Sequence, residues 1–108
     1  MEIVNLTPHA ITVLIGDKTV EFPSMGIARA EQELVQTDSI NGIPLFQITF
    51  GAPVDLPEPQ EDSYYVVSAI TAQSAQKAGR ITSDLLLPAK LVRDESGQIV
   101  GCEGFSTL

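Results

Sequence analysis

Ser68, His9 and Asp84 carry, on paper, the three roles of a nucleophilic hydrolase: a hydroxyl, a base to take its proton and a carboxylate to orient that base. Ser68 also stands where such nucleophiles stand, between the apolar run Tyr64-Tyr65-Val66-Val67 and an alanine-rich stretch. The surrounding residues argue for something plainer. A nucleophile elbow needs Gly-x-Ser-x-Gly so that a strained turn can form, and here the sequence is Val66-Val67-Ser68-Ala69-Ile70. A serine in that place is explained by helix capping alone, its hydroxyl accepting from a free amide of the first turn. The reading therefore expects no catalysis, and a small hydrolase using Ser68 or His9 ranks third among the functions weighed.

Metal chemistry is equally poorly supplied. His9 is the only histidine and Cys102 the only cysteine, whereas zinc takes three or four nitrogen, sulfur or oxygen ligands. Asp55, Glu58, Glu61 and Asp62 are interleaved with Pro57 and Pro59, without the ordered spacing of a calcium loop. They read as a solvated face, and His9, after Thr7-Pro8, as a turn residue or a surface one. Neither Gly-x-Gly-x-x-Gly nor a Walker loop occurs. No cofactor is expected.

Anion binding is the chemistry that remains. A helix opening at Ser68-Ala69-Ile70-Thr71 presents free backbone amides and the positive end of its dipole. Arg29, Arg80 and Arg93 are the only guanidinium groups, and two of them converging would hold a phosphate or carboxylate by charge-assisted hydrogen bonds. The competing expectation is that each arginine pairs with a nearby acid, Arg93 with Asp94 or Glu95 for instance.

The whole chain limits its partners. With six basic and 14 acidic residues, the formal charge is −8. Neutralising several phosphates needs a basic patch, so a nucleic-acid polymer is not expected, nor is an anionic membrane surface. No apolar run approaches the ~20 residues of a spanning helix. A lone cysteine excludes an internal disulfide, and the expected compartment is the cytoplasm, of a bacterial host. A hydrophobic fraction of 44% and a length of 108 residues suit one domain, 1–108, with a single core of Val, Ile, Leu and Ala.

Positioning these residues falls to a chain that is mostly strand. Residues 2–6 and 10–15 read as short strands parted by Thr7-Pro8, and Gly16-Asp17 as a type II′ turn returning the chain through 18–22. Residues 27–36 alternate poorly and read as an edge strand with one charged face. Asn41-Gly42 signals a hairpin into a strand over 43–50, and 51–62 reads as a long acidic, proline-rich loop. Residues 64–67 form a central strand, and Ser68 caps the one main helix, over about 69–78, with Gly79 past its end. Residues 85–87 are buried up to Pro88. A last hairpin joins 90–93 to 98–102 around Asp94-Glu95-Ser96-Gly97. The expected fold is α+β: a mixed, largely antiparallel curled sheet with that helix, and an uncovered edge that favours a homo-oligomer.

Several phrases carry a family likeness. Asn5-Leu6-Thr7-Pro8-His9, Phe22-Pro23-Ser24 with Gly26 and Arg29, and Gly51 with Leu56-Pro57 fall in the first half. Tyr65-Val66-Val67-Ser68, Gly79-Arg80, Asp84, Pro88 and Leu91-Val92-Arg93-Asp94 with Gly97 and Gly101 fall in the second. Along nearly its whole length the chain thus resembles a family of small phage and prophage proteins of unknown function. The resemblance implies a genomic context and directs attention to six polar residues beside turns: Thr7, His9, Ser68, Arg80, Asp84 and Arg93. By analogy of context, the leading expectation is a non-enzymatic, phage-type binding protein that sequesters a small anionic ligand, such as a nucleotide-derived host immune signal. Arg80 or Arg93 would hold the charge, and Tyr64 and Tyr65 would wall the base. The runner-up is a protein-interaction or virion-accessory module.

Overall fold

The computed structural model describes all 108 residues, as eight strands and one helix. In chain order these are β1 (Glu2–Asn5), β2 (Ile11–Ile15), β3 (Lys18–Phe22), β4 (Arg29–Ile40), β5 (Ile43–Val54), β6 (Ser63–Val66), α1 (Ala69–Lys77), β7 (Leu85–Arg93) and β8 (Ile99–Ser106). Six strands form one mixed sheet in the order β1–β6–β7–β8–β2–β3, and β4 and β5 form a separate two-stranded sheet. The long antiparallel pairs β2–β3, β4–β5 and β7–β8 hold most of the registered residues, while β1–β6, β6–β7 and β2–β8 are parallel. The fold is α+β, its large sheet curled into a half-barrel.

One contact measures the curl. Phe22 on β3 meets Phe105 on β8 edge to face, with ring centroids 5.9 Å apart. Phe22 pairs with Ile11, while Val13 pairs with Cys102. In a flat sheet those registers would separate the two rings by about 17 Å along the strands.

The core lies where α1 covers β1, β6 and β7. Leu6, Ala28, Tyr65, Val67, Ala72, Ala75 and Leu85 form its buried cluster, with Val4, Leu56 and Leu87 against it. Parallel neighbours cannot be joined by a tight turn, so α1 serves as the crossover from β6 to β7. Its buried face is Thr71, Ala72, Ser74 and Ala75, all small, and its backbone comes nearest to β5 and β4. Ser68 caps it in extended geometry, and Gly79 follows with a φ of 87°, the left-handed conformation that glycine adopts without a steric penalty.

β4 and β5 leave this body as an arm. Asn41 and Gly42 both have positive φ, 53° and 79°, as a type I′ turn requires. The Cα radius of gyration is 16.6 Å, against the roughly 13 Å expected for a compact chain of this length. The sheet boundaries correct several expectations. The edge strand expected over 27–36 is the first half of the arm. Residues 51–54 continue β5, so the acidic loop is shorter than the composition suggested. β7 runs through Pro88, which pairs with Phe105, so residues 85–87 and 90–93 belong to one strand where the sequence predicts two segments. The helix ends one residue earlier than expected, at Lys77.

Candidate functional site

Asn5 organises the opening of the chain. It is 1% exposed, and its side chain uses all of its hydrogen-bonding capacity. Nδ2 donates to the carbonyls of His9 at 2.8 Å and Phe22 at 2.9 Å. Oδ1 accepts from the Thr7 amide at 2.9 Å and lies 2.7 Å from Thr7 Oγ1. Thr7 Oγ1 is also 3.0 Å from the His9 carbonyl. The turn so formed receives the segment after β3: Ser24 Oγ donates to the Thr7 carbonyl at 2.6 Å, and the Met25 and Ala28 amides donate to the carbonyls of Asn5 and Leu6.

That scaffold sets the Thr7-Pro8 turn beside the amino end of α1. Between them lies a mostly apolar hollow of about 310 Å³, lined in part by Thr7, Arg29, Ser68, Ile27, Phe50 and Ile70. Ser68 Oγ accepts from the Thr71 amide at 3.2 Å and is 2.9 Å from Thr71 Oγ1, which reaches the Ala28 carbonyl at 3.3 Å. The amides of Ala69 and Ile70 have no acceptor within the helix, as the geometry of a first turn dictates. Arg29 is exposed and forms no ion pair; the molecule's one salt bridge is elsewhere. The hollow thus combines apolar walls with Arg29 and with Ser68 and Ile70 of the helix start.

The other expected site residues are dispersed. Arg80 is spent inside the fold, which corrects its expected role as anion anchor. Its terminal nitrogens contact both carboxylate oxygens of Asp84, at 2.9 and 3.0 Å, and donate to the carbonyls of Ile81 and Pro57, each at 2.7 Å. The pair fastens the loop before β6 to the end of α1. Arg93 lies at the far end of β7, roughly 30 Å of extended chain beyond Asp84, and donates to the Gly97 carbonyl at 2.9 Å. Its partner is therefore a turn carbonyl, where the alternative reading had Asp94 or Glu95. His9 is exposed, and only its backbone carbonyl is engaged. Tyr65 is buried in the core, so it walls no pocket.

The structure therefore brings Thr7 and Ser68 together and separates both from Arg80, Asp84 and Arg93. Ser68, His9 and Asp84 are each held by other partners or by none, and no triad forms. No three His, Cys, Asp or Glu side chains gather as a metal site would require. No helix is long and apolar enough to cross a membrane. Arg29 and Asn5 are the residues a search for motifs undervalues. The Asn-x-Thr spacing was the available signal for Asn5, because an asparagine side chain closes a turn onto the amide two residues on. Arg29 had no local signal, since its place beside Ser68 depends on how β4 leaves the body. No protein-family model matches the chain, and no curated protein or solved structure matches it.

Proposed function

We propose that the protein is a non-enzymatic, phage-type binding protein that holds a small anionic ligand in the hollow at the amino end of α1. A nucleotide-derived host immune signal fits this chemistry. One observation carries the reading: Arg29, which forms no ion pair, lines a single apolar-walled hollow together with Ser68 and Thr7 at a helix amino terminus. In a chain of charge −8, long-range attraction cannot gather anions, so an anion is held by short charge-assisted bonds and the terminal amides. Ile27, Phe50 and Ile70 supply the surface on which a base or another flat apolar group rests.

Thermal-shift measurement against cyclic dinucleotides and ADP-ribose-type compounds tests this. A hit is expected that Arg29→Ala abolishes while the unliganded melting temperature stays within a few degrees. Each ligand is expected back intact after denaturation. A panel without a single shift, or a hit indifferent to Arg29→Ala, sinks the assignment. A second reading, a protein-interaction or virion-accessory module, is favoured by one separate observation: the apolar side chains exposed along β4 and β5.

A further inference from the structure

The arm has two unlike faces, and its register identifies them. Directly paired residues of an antiparallel ladder project to the same side. Gln32 pairs with Phe50, Leu34 with Ile48 and Gln36 with Phe46, so these six share one face. Glu33 pairs with Thr49 and Val35 with Gln47 on the other. A register shift between Gln36 and Asp38 then places Asp38 and Leu45 on that second face too. The first face therefore carries none of the paired acids of β4, although the chain holds 14 acidic residues. It is built of large apolar side chains and two amides. Leu34 is 57% exposed, Phe46 54% and Ile48 49%.

Nothing within the chain covers this face beyond its base. There, Ile48 and Phe50 line a groove of about 360 Å³ against Ile70, Gln73, Ser74 and Lys77 of α1. The Ser74 hydroxyl holds the base of the arm by donating to the Gly51 carbonyl. A two-stranded hairpin is at best marginal in water, and this one extends 12 residues on each strand with its apolar face open.

We infer that the uncharged face of the β4–β5 arm packs against the same face of a second copy of this chain. The charge pattern selects that occupant. Two copies each at −8 repel, so a contact between them must not set acid against acid, and this face carries none of the paired acids of β4. The exposed parts of Leu34, Phe46, Ile48, Phe50 and Ile70 amount to roughly 450 Å² per copy, an apolar centre for an interface in which one standard partner gives ~800 Å². Two-fold packing of one patch on itself also closes, which suits a finite dimer. Phe50 and Ile70 line both this groove and the hollow at the amino end of α1. The groove and the hollow therefore adjoin, but the pairing stands on the arm alone and does not need a ligand.

Sedimentation equilibrium of the purified full chain without ligand tests the pairing. The parent is expected at twice the 11.6 kDa protomer mass at micromolar concentration. Phe46→Glu, placing a charge on the uncharged face, is expected to weaken association at least 100-fold, while Val35→Glu, on the opposite face, changes it less than threefold. Should Phe46→Glu fail to fold, Leu34→Cys in the otherwise native chain is expected to form an intermolecular disulfide under mild oxidation, and Val35→Cys is not. A monomeric parent at tens of micromolar overturns the inference. So does dissociation by Val35→Glu with Phe46→Glu unaffected, cross-linking through Val35→Cys alone, or a foreign protein occupying the face in place of the second copy.

Discussion

Arg80 sets its two terminal nitrogens against the two carboxylate oxygens of Asp84, one turn-length along the chain, at 2.9 and 3.0 Å. Their side chains are only 12% and 11% exposed, so the pair belongs to the interior of the fold. Asp84→Ala leaves a cation in that place without its counter-charge. The expected loss is about 3 kcal/mol, or roughly 15 °C in melting temperature for a domain of this size. Chemical denaturation monitored by circular dichroism measures it. A change under 0.5 kcal/mol would show that the pair is superficial and Arg80 free for other work.

Asn5 predicts a different pattern. Its amide answers two carbonyls and its oxygen a backbone amide, all from one buried side chain. Asn5→Ala strips these partners at once, and at about 1 kcal/mol for each the expected cost is 2–4 kcal/mol. Asn5→Asp keeps the acceptor but sets a carboxylate oxygen against the carbonyls of His9 and Phe22. Its destabilisation should exceed that of Asn5→Ala at neutral pH and shrink in acid, where the protonated carboxyl donates to one of them. Equal losses at pH 4 and pH 7 would show that the two carbonyls have other donors.

What the sequence disclosed of this fold follows the range of each signal. The Gly16-Asp17 and Asn41-Gly42 turns, the Ser68 cap and the Gly79 terminus are local, and each stands where its residue chemistry puts it. Pro88 misled, because proline ends a strand only where its missing amide is needed, and here β7 passes through it paired with β8. The arm was hidden because residues 27–36 alternate poorly and read as an edge strand with one charged face. Nothing in 27–50 says that the hairpin extends away from the β-sheet body. The site divided in the same way. Ser68 was legible as a cap, whereas Arg80 and Asp84 are four residues apart and looked like separate candidates until the side chains met.

Gly101 offers a test of the curl. A Cβ built there would lie 2.9 Å from the Thr12 carbonyl oxygen, a backbone atom of β2 that cannot swing aside as a side chain would. Val13 and Cys102 are the registered pair that joins β2 to β8 in this region, so any shift strains the junction on which the half-barrel depends. Gly101→Ala is expected to cost about 1–3 kcal/mol. Gly104, on the same strand, has no atom within 4 Å of its Cβ position. Gly104→Ala should therefore stay within about 0.5 kcal/mol of the parent. Equal melting temperatures for the two variants would mean that β2 and β8 are farther apart than this packing requires.

Asp94 gives the fold an acid-side signature at the tip of the β7–β8 hairpin. Its Oδ1 accepts from Ser96 Oγ at 2.7 Å, from the Ser96 amide at 2.9 Å and from the Gln98 amide at 3.0 Å. The Ser96 hydroxyl first, then the backbone amides, hold its carboxyl below the ordinary aspartate range. A group with a depressed folded-state pKa contributes stability that is fully present above its unfolded value. That contribution is lost as the pH falls from about 4 through the folded value. The group is fully exposed, so the turn should loosen locally while the body stays folded. Proton-detected titration of the carboxyl should place its midpoint below that of an unstructured aspartate, and Ser96→Ala should move it upward. The Gly97 amide, which donates to the Asp94 carbonyl at 3.0 Å, should lose exchange protection over the same acid interval. An unshifted midpoint in Ser96→Ala would assign the depression to the backbone amides alone.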